Sequence, residues 1–177
     1  MGVEVFYTTE DIDVRKCVEA AIVEILNLKI VDERDIALPD WLFDQRRKQY
    51  RAEEVLDYIA TLRKYEKTYV FGVIDADGYV KGLNFVFGVA YPHMGAVVFL
   101  QRLKTQSKEL FLLRTRKEVL HELGHVLGLE HCKQFGCVMN FSNSVFEVDM
   151  KRDAFCKKCA SKLSEFGVVV NPRHVLI

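Results

Sequence analysis

Three histidines and a glutamate lie close together between residues 121 and 132, in the order H-E-L-G-H-V-L-G-L-E-H-C. On a helix, His121 and His125 stand on the same face, so both rings can reach one metal ion. If that helix continued, His131 would be carried out of reach. Gly128 allows the chain to turn back, because glycine adopts the left-handed conformation that ends helices. The spacing therefore predicts a helix that ends near Gly128 and three imidazoles around one metal.

Three histidine ligands are typical of a catalytic zinc, because the fourth tetrahedral position is left to water. Zinc lowers the pKa of that water to about 7. Glu122, beside the helical histidines, can take a proton from the zinc-bound water and deliver it to a leaving amine. The full pattern arises by chance in a chain of this length with a probability of roughly one in a hundred thousand. An ordinary amphipathic helix with surface histidines is therefore the weaker interpretation.

Four cysteines follow in two pairs, Cys132 with Cys137 and Cys156 with Cys159. Two such pairs are typical of a closed, all-thiolate structural zinc site, and two disulfides are the alternative. No signal peptide precedes the first predicted strand, so we expect a cytoplasmic protein whose reducing surroundings favour thiolate ligands. The fifth cysteine, Cys17, falls on the apolar face of a predicted helix and is assigned to the core.

Together these residues resemble the metzincin clan of metallopeptidases, and within it the archaemetzincins. The clan shares the signature H-E-x-x-H-x-x-G-x-x-H, and Met139 matches the methionine of the turn that underlies the zinc. The cysteine directly after the third histidine, the C-x4-C-x-M run and the distal C-x-x-C narrow the resemblance to archaemetzincins. These motifs span residues 121–159, and the segment 82–90 is also similar to the family.

The resemblance implies peptide-bond hydrolysis, with the three histidines as ligands of the catalytic zinc and Glu122 as general base. It also implies that the four cysteines bind a second, structural zinc, so that each chain holds two zinc ions. Some relatives are described as aminopeptidases. Phe141 occupies the position where some metzincins have a ligating tyrosine, so no such ligand is expected. By analogy with the clan, the predicted hairpin of residues 85–90 and 96–100 should offer a sheet edge that takes the substrate as an added strand.

The rest of the chain shows strand and helix patterns in alternation. Segments rich in β-branched and aromatic residues predict strands at 2–7, 28–38, 68–75, 83–90 and 96–100. Apolar residues at helical spacing predict helices at 13–26, 51–65 and 153–166, the last carrying Cys156 and Cys159 on one face. The metal-binding helix is predicted to begin at Thr115 or at Ser107.

This order indicates an α/β (α+β) fold of the metzincin kind. We expect a mixed, twisted β-sheet with a backing helix and an active-site helix, followed by the four-cysteine zinc site and a C-terminal helix. Half of the 177 residues are hydrophobic, enough for one core. The prediction is a single catalytic domain, 1–177, with an N-terminal subdomain 1–128 and a C-terminal subdomain 129–177.

Charge and length limit the partners. Lys plus Arg and Asp plus Glu are equal at 25 each, which gives no electrostatic reason to expect nucleic acid or an anionic membrane. The apolar runs are too short to span a membrane. The expected partners are peptide or protein substrates, and we expect the chain to be a monomer.

Two alternatives to a peptidase remain from the sequence. One is a zinc-stabilised binding or scaffold domain with little or no hydrolytic activity, which would need the metal ligands but would have no use for Glu122. The other is a zinc hydrolase of a non-peptide amide, which stays open because the same attack by water serves any amide.

Overall fold

The computed structural model describes residues 1–177 as eight strands and five α-helices. In chain order the strands β1 to β8 are Gly2–Tyr7, Lys29–Asp35, Phe43–Asp44, Gln49–Arg51, Thr68–Ile74, Gly78–Tyr79, Gly88–Tyr91 and Gly95–Phe99. The helices α1 to α5 are Ile12–Ala20, Ala52–Thr61, Lys108–Val126, Val145–Met150 and Lys157–Glu165. No helix is both long enough and apolar enough to cross a membrane.

Five strands form the main sheet in the order β2-β1-β5-β8-β7. Strands β1, β2, β5 and β8 run parallel, whereas β7 pairs antiparallel with β8. The predicted mixed sheet is therefore confirmed, and β7 forms one of its edges.

Helices cover both faces of this sheet, because alternate side chains of a strand point to opposite sides. Val5 and Val98 belong to the larger hydrophobic cluster, which includes residues of α1 and α3. Phe6 and Val97 belong to the second cluster, which includes residues of α2. Helix α3 packs against β7 and β8, so its C-terminal half lies beside the sheet edge.

The N-terminal elements agree closely with the predictions. The first predicted strand has the bounds of β1. The predicted helix 13–26 is α1 followed by a π-helical turn at Ala21–Ile25. That turn keeps Ile22 and Ile25 buried, so the apolar face continues beyond the α-helical part.

The predicted strand 83–90 is only half correct, because β7 begins at Gly88. Earlier in this segment, the N–H of Val86 donates to the carbonyl of Gly78 at 2.9 Å, which ties the chain to β6 instead of β8. Strand β6 belongs to a small sheet in the order β3-β4-β6. No sequence pattern predicted that sheet, since strands of two or three residues are too short to show a period.

The predicted last helix starts too early. Helix α5 begins at Lys157, and Cys156 precedes it as the N-cap, with its Sγ accepting the N–H of Cys159 at 3.5 Å. The prediction that both cysteines lie on the helix is therefore wrong for Cys156. Helix α4 was not predicted either, although Ser144 is a typical N-cap residue and its side chain accepts the N–H of Glu147.

Candidate active site

Helix α3 carries the paired histidines and begins at the earlier of its two predicted starts. The Oγ of Ser107 accepts a hydrogen bond from the N–H of Leu110 at 3.2 Å, as a helix N-cap does. Thr115, the other predicted start, is buried inside the helix and donates its hydroxyl hydrogen to the carbonyl of Phe111 at 2.9 Å. The helix therefore runs for about three and a half turns before it reaches His121.

The chain turns back where the sequence predicts it. Helix α3 ends at Val126, and Gly128 has a φ of +102°, which side chains with a Cβ rarely adopt. The N–H of Leu129 then donates to the carbonyl of Gly124 at 2.8 Å, which closes the reversal.

The reversal brings three imidazole rings together. The Nε2 atoms of His121 and His125 are 3.2 Å apart. The ring centroid of His131 lies 4.8 Å from that of His125 and 5.4 Å from that of His121. One ring nitrogen of each histidine lies within 4.8 Å of the others, so the three could hold a metal ion.

Hydrogen bonds decide which nitrogens face the centre. Nδ1 of His121 lies 2.8 Å from the carbonyl oxygen of Val138, and Nδ1 of His125 lies 2.8 Å from that of Leu129. A carbonyl can only accept, so each Nδ1 carries the hydrogen and each Nε2 presents a lone pair. Two lone pairs facing each other at 3.2 Å repel unless a cation lies between them. Zinc fits this pair, since Zn–N bonds of about 2.1 Å in a tetrahedral site put the nitrogens roughly 3.4 Å apart.

Burial favours the neutral form that a metal requires. It lowers the pKa of His121, His125 and His131, most strongly for His121. The positive charge of Lys151 lowers the pKa of all three further.

Glu122 is buried between α3 and the edge strand β7. Burial, with a smaller contribution from the charge of Glu118, raises its pKa to about 8. A Cβ on Gly88 would stand 2.8 Å from Oε1 of Glu122. Only glycine therefore lets β7 approach this carboxylate so closely.

A cleft of about 350 Å³ opens over the histidines and Glu122. Its other walls come from the edge strand with the segment before it, and from the chain after Met139. They include Phe85, Val89, Tyr91, Phe141 and Asn143. Phe141 packs against His131, with ring centroids 5.2 Å apart.

Met139 is fully buried beneath the part of α3 that carries His121 and His125. Its sulfur packs against Gly124, where an added Cβ would overlap Sδ. The glycine inside the H-E-L-G-H motif thus lets the methionine pack directly against the backbone of α3. The sequence offers no signal for this role, because a glycine inside a helix is otherwise only unfavourable.

Replacing Gly124 with alanine is expected to lower the free energy of unfolding by about 1–3 kcal/mol, the usual range for overpacking a core. Alanine is the better helix former by about 1 kcal/mol, so any loss must come from the contact with Met139. Chemical denaturation measures it. The double variant G124A/M139A, in which room for the methyl is restored, should be less destabilised than the sum of the two single variants. Strict additivity would contradict the packing explanation.

The four predicted cysteines also meet. Their sulfurs lie within 4.8 Å of one another, and all five cysteines of the chain are free thiols. The Sγ atoms of Cys132 and Cys156 are 3.8 Å apart, and those of Cys137 and Cys159 are 3.9 Å apart. A disulfide needs about 2.05 Å. Zn–S bonds of about 2.3 Å at a tetrahedral ion separate the sulfurs by roughly 3.8 Å, so the cluster fits zinc.

Hydrogen bonds to the sulfurs favour thiolates in this cluster. The N–H of Gln134 donates to Cys132 Sγ at 3.3 Å, and that of Cys156 donates to Cys137 Sγ at 3.3 Å. The pKa of Cys137 is lowered to about 5, chiefly by the hydrogen bond that its sulfur shares with Cys159, and the same contact raises the pKa of Cys159.

The two candidate metal sites are joined through the backbone. Cys132 directly follows His131, and its N–H donates to the carbonyl of Met139 at 2.9 Å. The side-chain amide of Asn140 donates to the carbonyl of Cys132 at 2.7 Å. The cysteine cluster therefore holds both the third histidine and the turn that contains Met139.

Cys17 lies apart from the cysteine cluster. It is half-buried against α3, and its Sγ donates to the carbonyl of Leu112 at 3.2 Å.

Comparison with known proteins relates the chain to zinc peptidases of archaea. Residues 11–165 match the model of peptidase family M54. The archaemetzincin of Nanoarchaeum equitans is 44% identical over 146 residues, which cover 82% of this chain and 81% of that relative. The crystal structure of archaemetzincin from Methanopyrus kandleri matches with a TM-score of 0.86 at 35% identity, over 94% of both chains. That of the Archaeoglobus fulgidus archaemetzincin complexed with malonate matches with a TM-score of 0.82 at 34% identity, over 92% of this chain and 99% of the other.

Proposed function

Because the chain belongs to the archaemetzincins of peptidase family M54, it is a zinc metallopeptidase, and we propose that His121, His125 and His131 hold its catalytic zinc. The resemblance found in the sequence is confirmed, and a scaffold without activity is not favoured. The observation that carries the ligand assignment is the distance of 3.2 Å between the Nε2 atoms of His121 and His125, with the ring of His131 beside them. A peptidase acts on peptides or proteins, so the cleft beside these rings is the place for such a chain.

Glu122 is the general base in this proposal. When bound, zinc supplies a Lewis acid that polarises the substrate carbonyl and makes water more acidic. Glu122 takes a proton from the attacking water as the water oxygen bonds to the carbonyl carbon. It then gives that proton to the amine nitrogen as the C–N bond breaks. The position of Glu122, one residue after His121 and facing the cleft, supports this role.

The edge strand β7 is the proposed binding site for the substrate backbone. It lines the cleft, and the outer N–H and C=O groups of an edge strand can pair with an extended peptide. Gly88 lies against Glu122, so a peptide paired with β7 would bring a backbone carbonyl to the base and the histidines.

We also propose that Cys132, Cys137, Cys156 and Cys159 bind a second zinc ion that is structural. The sulfur separations near 3.8 Å and the backbone N–H groups directed at the sulfurs support it. Four thiolates leave no position for water, so this site would have no part in hydrolysis.

The purified protein is expected to contain two zinc ions per chain and to cleave an unbiased peptide library, with new termini found by mass spectrometry. A chelator should remove the catalytic zinc first, because His131 is exposed in the cleft whereas three of the four cysteines are buried. The treated protein should then hold one zinc ion and cleave no peptide. Added zinc should restore the second ion and the cleavage. A protein that holds two zinc ions and cleaves no peptide, or that cleaves with one, would contradict the proposal.

A further inference from the structure

A buried ion pair lies directly behind His121. The Nζ of Lys151 is 3.0 Å from Oε1 of Glu118, and these side chains are only 1% and 3% exposed. Glu118 is on α3, one turn before Glu122, whereas Lys151 follows α4. Moving two charges out of water is unfavourable, and an apolar pair of similar size is often at least as stable. A purely stabilising role therefore explains this pair poorly.

The ammonium of Lys151 reaches more than its carboxylate partner. Its Nζ donates to the carbonyl of Asn140 at 3.3 Å and lies 3.4 Å from Nδ1 of His121. Asn140 directly follows Met139 in the turn beneath the rings. One buried cation thus contacts the helix, a metal-site histidine and the turn.

The same turn accepts the hydrogen of His121. Nδ1 of His121 donates to the carbonyl of Val138, two residues before Asn140. The ammonium cannot donate to a nitrogen that already carries a hydrogen, so it donates to the carbonyl of Asn140 and forms an ion pair with Glu118. Lys151 therefore holds the segment Val138–Asn140 against the back of the ring, and Glu118 holds Lys151 in place.

Other contacts already fasten the segment around α4 to α3. They are the ion pairs Arg114–Asp149 and Arg116–Asp153 and the bond from Lys117 Nζ to the carbonyl of Val148. Of these contacts, none involves a histidine of the cleft. Lys117 and Lys151 are both buried lysines beside this segment. They differ in what they contact, because only Lys151 reaches a histidine of the cleft.

We propose that Lys151 and Glu118 are positioning residues of the peptidase, which orient His121 so that its Nε2 points at the catalytic metal. This inference rests on the proposed function, because it assumes that His121 is a metal ligand. Neither residue touches the substrate in this proposal; both act through the histidine and the turn.

The test compares Lys151→Met with Lys117→Met. Both changes replace a buried lysine by an unbranched apolar side chain. Each also removes a polar contact between α3 and the segment 138–151, the hydrogen bond from Lys117 to Val148 or the ion pair of Lys151 with Glu118. Both should lower the unfolding midpoint. Only Lys151→Met should weaken the catalytic zinc, by about 10–100-fold, the range seen when residues that orient a metal ligand are changed. Its kcat should fall while KM stays unchanged, and its second zinc should remain bound.

Zinc affinity is measured by titration in metal buffers, and kcat and KM with a cleaved peptide. Should Lys151→Met fail to fold because Glu118 is left unpaired, the double variant E118Q/K151M removes both charges and should show the same weakened zinc. Equal zinc affinity and kcat in the wild type, Lys151→Met and the double variant would overturn the inference, as would equal losses in Lys117→Met. A His121→Ala variant that keeps its catalytic zinc would overturn the ligand assignment itself, which separates the two failures.

Discussion

Replacing Glu122 with glutamine is expected to lower kcat/KM by about 10²–10⁴-fold, the usual contribution of a general acid or base, while the zinc content stays unchanged. Glutamine has nearly the same shape, so the contact with Gly88 is kept. It has no basic oxygen that can take a proton from water. Burial raises the pKa of this carboxyl to about 8, so without metal it is largely neutral near pH 7 and glutamine replaces it without changing the charge of the site. The folded state should therefore lose little stability, and unfolding cannot explain the loss of activity.

The control for this variant is Glu109→Gln, at an exposed position in the first turn of the same helix. It makes the same chemical change far from the cleft and should retain wild-type kcat/KM. Zinc content and thermal unfolding of both variants complete the measurement. Wild-type activity in Glu122→Gln, or a drop of the same size in Glu109→Gln, would rule out Glu122 as the base.

Replacing Cys159 with serine is expected to cause the largest loss of stability. Structural zinc contributes about 10–16 kcal/mol of folding free energy in small zinc domains, so losing one of four thiolates should lower the free energy of unfolding by more than about 5 kcal/mol. The effect should reach the histidine site, because Cys132 of the cluster directly follows His131 and its N–H donates to the carbonyl of Met139. Zinc content should therefore fall from two towards zero.

Cys17→Ser is the matched control, since it makes the same substitution outside the cluster. Its hydroxyl can still donate to the carbonyl of Leu112 as the thiol does. This variant should keep two zinc ions and nearly wild-type stability, measured by chemical denaturation and metal analysis. If Cys159→Ser kept two zinc ions and the wild-type free energy of unfolding, the cysteine cluster would not be a structural zinc site.

The meeting of the histidines was predictable because their motif is local. Two histidines four residues apart share a helix face whatever surrounds the helix, and Gly128 ends that helix through its own backbone freedom. The pairing of β1, β5 and β8 was harder to derive, yet their composition still identified them as strands. Strands β3, β4 and β6 were missed, because two or three residues are too few to show a periodic pattern.

Several errors had one cause, the competition between local pattern and long-range contacts. The segment 83–90 has the composition of a strand, but Val86 bonds to β6, so only Gly88–Tyr91 joins the main sheet. The apolar spacing of residues 153–166 places Cys156 inside a helix, but its sulfur caps that helix and joins the cysteine cluster.

What the sequence determined alone is the set of candidate residues: the histidines and cysteines proposed to bind zinc, the carboxylate proposed to move a proton, and the glycine at which the helix ends. These follow from residue type and spacing over a few turns of chain. The tertiary structure decided how those groups are held. Three contacts show this: Gly124 with Met139, Gly88 with Glu122, and the ion pair of Lys151 with Glu118 behind His121. Each joins residues that lie far apart in the chain. Such contacts depend on how helices and sheet pack together, which no short stretch of sequence specifies.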